Sequence, residues 1–67
     1  MISIYLNDEV QEVEATLSLQ DLLMQNQYRD QHFAVAINKQ LIPRMLYSST
    51  LFNPNDNVDV IVPMQGG

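Results

Sequence analysis

Residues 18–37 read SLQDLLMQNQYRDQHFAVAI, and the way this stretch divides decides the fold. Its first half has a helical period: Leu19, Leu22 and Leu23 fall at i, i+3 and i+4 and share one apolar face. Ser18 stands ahead of them as a helix cap. Asp21, three residues on, resembles the second half of a capping box and suits the positive end of the helix dipole. The helix is expected to run to about Gln27, with Tyr28 to His32 as a polar connection. The second half changes period. Phe33, Val35 and Ile37 alternate with Ala34 and Ala36, which is a strand. Because that strand is apolar on both faces, it is expected to be central in its sheet.

The flanks supply more strands. Ile2, Ile4 and Leu6 alternate with Ser3 and Tyr5 in a half-buried strand, and Asn7-Asp8-Glu9 is a tight turn. Val10 to Glu14 returns as a more polar strand whose broken alternation leaves its register open. Downstream, Asn38-Lys39-Gln40 reads as a turn and Leu41-Ile42 as a short extended piece that Pro43 ends. Met45 to Leu51 reads either as a short helix or as an irregular segment. Asn53-Pro54-Asn55-Asp56 is a strong turn signal. Val58, Val60 and Val62 then alternate with Asp59 and Ile61 in a final strand stopped by Pro63. Strand, strand, helix, strand, irregular segment, strand is the order of a small α+β grasp. It implies a mixed sheet of four to five strands with one main helix packed on one face.

Composition narrows the function. At 67 residues the chain is one domain, expected to divide into a folded part, 1–62, and a flexible tail, 63–67. Cysteine is absent, which fits a reducing compartment. No apolar run approaches the roughly 18 residues of a membrane span. MISIYLNDEV has no basic region before an apolar run, so it does not read as a signal peptide. A cytoplasmic protein without membrane contact is the expectation. The net charge of -5 comes from eight acidic and three basic residues. Without a basic cluster, nucleic acid is not an expected partner.

Catalytic and metal constellations are missing from the pattern. His32 is the one histidine and lies in the polar connection, so a zinc site would be hard to assemble and a triad with Ser18, Ser48, Ser49 or Thr50 is not expected. Glu9, Glu12 and Glu14 fit a solvated strand face better than an acid–base pair. With no internal glycine there is no phosphate loop. The chain is therefore not expected to be an enzyme by itself, nor to hold a cofactor.

The two glycines of the chain are Gly66 and Gly67, its last residues. At a background of about 7% glycine, such a pair arises by chance in roughly one chain in 200, so its weight depends on what it can do. Glycine has no Cβ and takes nearly any backbone conformation. A Gly-Gly end can thread a narrow channel and present the Gly67 carboxylate to a partner enzyme, which could adenylate it with ATP for displacement by a sulfur or amine nucleophile. Gln65 and Met64 would thread with it. Met64 fits either packing on the sheet edge or lining the partner's channel. The bland alternative for the whole tail is a frayed terminus.

At this point the chain resembles the ThiS-like sulfur carriers of thiamine thiazole biosynthesis, ubiquitin-like proteins of the MoaD/ThiS superfamily. The resemblance covers nearly the whole chain. It includes Leu6-Asn7, Ser18-Leu19-Gln20-Asp21-Leu22-Leu23, the stretch Ala36-Ile37-Asn38-Lys39-Gln40-Leu41-Ile42-Pro43-Arg44, Asp56 and the Gly-Gly end. Where that family commonly has Gly-Asp before the last strand, this chain has Asn55-Asp56. Asn accepts the left-handed conformation better than most residues, so the turn can survive.

The resemblance implies a β-grasp and a carrier cycle. An E1-like, ThiF-type adenylyltransferase would adenylate the Gly67 carboxylate, and a persulfide donor would turn it into a thiocarboxylate. A ThiG-type thiazole synthase would accept the sulfur. Pro43 and Arg44 are expected as a strand end and a solvated charge, with partner contact by Arg44 as the alternative. The small subunit of molybdopterin synthase and a ubiquitin-like protein tag would use the same tail. A plain interaction module would not use it at all.

Overall fold

The computed structural model describes residues 1–28 and 33–62. Five strands, one α-helix and one 3₁₀ segment follow in the order β1 (Ile2–Leu6), β2 (Glu9–Val13), α1 (Leu19–Gln25), β3 (Ala34–Ile37), β4 (Gln40–Leu41), the 3₁₀ segment Arg44–Ser49, and β5 (Asn57–Ile61). The sheet order is β2-β1-β5-β3-β4. β1 pairs antiparallel with β2 and parallel with β5, and β3 pairs antiparallel with β4 and β5. This is the expected mixed β-grasp sheet, with one correction: the middle place belongs to β5, and β3 lies one strand out. β3 still lies inside the sheet, with β5 on one side and β4 on the other.

Alternation turns Ile4, Leu6, Val13, Val35, Val58 and Val60 to one face, where they meet Leu19, Leu22 and Leu23 of α1 and Tyr47 and Phe52 of the following segments in one core. The open register of β2 is set by that core. Ile2 lies opposite Val13 and Tyr5 opposite Val10, so Val13 faces inward while Val10 is exposed. A slip of one residue would exchange them.

α1 starts as its sequence requires: the Asp21 amide donates to Ser18 Oγ at 3.1 Å. It ends at Gln25, two residues short of the expected end. Asn26 stops it by donating its side-chain amide to Leu22 O, and Gln27 follows in the left-handed region at φ 69°. The ambiguous Met45–Leu51 stretch resolves as the 3₁₀ segment, tied to α1 by a bond from the Leu19 amide to Thr50 O.

The turns are built without glycine. Positive φ occurs at Asn7, Asp8, Gln27, Asn38, Lys39 and Asn55. In both hairpins the two turn residues are positive, as the twist of the strands demands. A non-glycine residue there costs about 1–2 kcal/mol, less for Asn and Asp, whose short polar side chains bond locally. Asn55, where the resemblance had raised a departure, takes φ 69°, so the turn does survive.

Candidate functional site

The tail follows β5, so the site begins with how that strand is held. β5 lies between two staggered hairpins. β1 flanks only its first half, through Tyr5 opposite Asn57 and Leu6 opposite Val58. β3 flanks Val58 to Ile61, ending with Ala34 opposite Ile61. Each side therefore lacks a strand where the other has one, and an asparagine fills each gap. Asn38 Oδ1 accepts from the Asn57 amide at 3.0 Å. Asn7 Oδ1 accepts from the Val60 amide at 2.9 Å. Both residues stand in turns at positive φ, where the backbone has left the sheet and the side chain continues the ladder in its place.

At the entry to β5, Asp56 is buried. Its carboxylate accepts from Asn38 Nδ2 at 3.0 Å and from the Asn53 amide at 2.8 Å. A carboxylate without those donors would be costly to bury.

At the exit, Ile61 and Val62 are 53% and 46% exposed. Among the described residues Ala34 is the one paired with Ile61, and the residue before it, Phe33, is held by a side chain from the far segment. Arg44 Nη2 donates to Phe33 O at 3.4 Å. The guanidinium carbon lies 5.1 Å from the centroid of the Phe33 ring and 5.8 Å from that of Tyr47, and these two rings are parallel within 8°. Tyr28 meets Phe33 edge-on at 5.8 Å. Arg44 was expected as a solvated charge. It is exposed, but its guanidinium is packed on two rings.

The residues expected to carry the chemistry, Gly67 with Gly66, Gln65 and Met64, lie outside the described residues, as do Pro63 and His32. Among the described residues no group of three or more His, Cys, Asp or Glu could hold a metal. Ser18 is a cap, and the hydroxyls of Ser49 and Thr50 donate to Leu46 O. Glu9, Glu12 and Glu14 are exposed along the outer hairpin. The described part of the molecule can hold and present a chain end; it brings no nucleophile to a base.

Two surfaces border the exit. The sheet face away from α1 is uncovered and exposes Tyr5, Val10, Leu41 and Ile61, with the acids Glu12 and Asp59 in the same alternation. On the helix side a groove of about 450 Å³ is lined by residues including Leu23, Met24, Tyr28, Phe33, Arg44 and Tyr47. Among the described residues no helix is long and apolar enough to cross a membrane.

The sequence pattern of the ThiS family matches residues 4–67. The uncharacterized protein ycf40 of Porphyra purpurea is 38% identical over 66 residues, 98% of this chain and 93% of that protein. Its counterpart of the same name in Pyropia yezoensis is 36% identical over the same shares. Among solved structures, the thiamine biosynthesis protein ThiS of Geobacter metallireducens superposes with a TM-score of 0.77, covering 98% of this chain and all of that one at 20% identity. At that identity the likeness speaks for the fold.

Proposed function

The chain belongs to the ThiS family of small sulfur carriers, and from that premise we propose that its C-terminal Gly67 carries sulfur for the thiazole of thiamine. The observation that carries this reading is the extent of the family match, which runs through Gly66 and Gly67. The solved relative in fold is named for thiamine biosynthesis, and we extend that pathway to this chain.

The cycle begins when a carboxylate oxygen of Gly67 attacks the α-phosphorus of ATP on an E1-like, ThiF-type adenylyltransferase. Pyrophosphate leaves and an acyl-adenylate remains. The terminal sulfur of a persulfide then displaces AMP to give an acyl disulfide. A thiol cleaves the sulfur–sulfur bond, and the thiocarboxylate stays on Gly67 for a ThiG-type thiazole synthase. The chain supplies no catalytic group and binds no cofactor; ATP is the partner's substrate. Its own work is presentation. β5 is anchored in the core by Val58 and Val60, and the strand exits beside the uncovered sheet face, which we take as the docking surface for the adenylyltransferase.

Incubation with ATP and the adenylyltransferase tests this. The full chain should release pyrophosphate, and the chain lacking Gly67 should release none while keeping its circular dichroism spectrum. Equal release by both would refute the reading.

A further inference from the structure

We propose that Arg44 is a positioning residue for the tail, setting the direction the chain takes at Val62. The proposal rests on the carrier reading above, because direction matters only if the chain end has a reaction to meet.

The argument starts from how little holds the exit. Beyond Leu6, β1 no longer pairs with β5, and the Asn7 side chain reaches only as far as the Val60 amide. At Ile61 the described support is its pairing with Ala34. The placement of Ala34, the first residue of β3, depends in turn on Phe33 just before it. Arg44 fixes Phe33 twice, at its carbonyl and at its ring. The same guanidinium lies against Tyr47, which is buried in the core cluster. A continuous chain of contacts thus runs from the core through Tyr47, Arg44, Phe33 and Ala34 to Ile61. Pro43, immediately before Arg44, fixes the backbone where that side chain begins.

Arginine suits this task better than lysine. A planar guanidinium can stack on a ring and donate in its own plane to a carbonyl. Such a contact contributes little stability at an exposed site, about 0.5–1 kcal/mol. Its effect on rate can be larger, because a displaced reacting atom loses rate steeply with distance.

The test uses the full chain, ATP, the ThiF-type adenylyltransferase, a persulfide donor and a thiol, with kcat and KM read from pyrophosphate release. For Arg44→Met, kcat should fall roughly tenfold and KM should stay within about twofold. The melting temperature should drop by less than about 8 °C. Arg44→Lys keeps a donor but loses the planar stack, and should recover part of kcat. Four results would overturn the proposal. They are an unchanged kcat, a rise in KM alone (which would make Arg44 a docking contact), rate loss that disappears when corrected for the folded fraction, and wild-type chain that releases no pyrophosphate. The last would sink the carrier reading itself; the other three would leave it standing.

Discussion

The two ends of β5 are held in different ways. Its entry is dense with bonds. Asp56 takes two donors on its carboxylate, and its backbone oxygen accepts from the Tyr5 amide. The Asn55 amide donates to Ser3 O, and Asn38 and Asn57 exchange two bonds. Its exit has one strand neighbour, one asparagine and the Arg44 brace. The inward-facing Val58 and Val60 are both buried, so the two ends differ in their bonds and not in their burial. The strand is therefore fastened at the end away from the tail. Stability and presentation are separable, and substitutions at the two ends should report on different quantities.

The largest effect expected is on function alone. Removing Gly67 should abolish thiocarboxylate formation, measured by mass spectrometry, with no change in melting temperature. Next comes the entry. Asp56→Ala leaves the Asn53 amide and Asn38 Nδ2 without their acceptor and should cost about 1–3 kcal/mol in urea unfolding, with the rate of activation per folded molecule unchanged. A rate loss there would erase the distinction between the two ends. Ser18→Ala, at the start of α1 and remote from both ends, should cost about 1 kcal/mol and likewise leave the rate alone. The smallest effect sharpens the account of the glycine-free turns. Lys39 sits at φ 69°, so Lys39→Gly should stabilise the protein by about 0.5 kcal/mol, the relief of left-handed strain being partly offset by added freedom in the unfolded chain.

Much of this fold was legible in the sequence because its signals are local. Ser18 and the leucine spacing mark α1, and Asn-Asp and Asn-Lys mark the hairpins. What local patterns could not carry was strand order. An apolar strand is expected inside its sheet, and both β3 and β5 lie inside it, so the pattern does not choose which of them takes the middle place. The helix end was missed because Asn26 caps through its side chain, which no apolar period records. The reach of Asn7 to Val60 spans 53 positions, and the link from Arg44 to Phe33 depends on how the chain returns after Pro43; neither leaves a mark in spacing. The expected site residues, Gly66 and Gly67, lie outside the described residues, so the structure does not bear on them.

The central claim is that Gly67 becomes a thiocarboxylate, and the composition of the chain permits a direct test. The protein would be isolated from cells starved of thiamine, treated with a thiol-alkylating reagent, and fragmented in the mass spectrometer. With no cysteine in the sequence, a label on Gly67 can only report a thiocarboxylate, and alkylation avoids confusing sulfur-for-oxygen exchange with oxidation of one of the four methionines. The account predicts that label. A chain recovered from those cells with Gly67 unlabelled would contradict it.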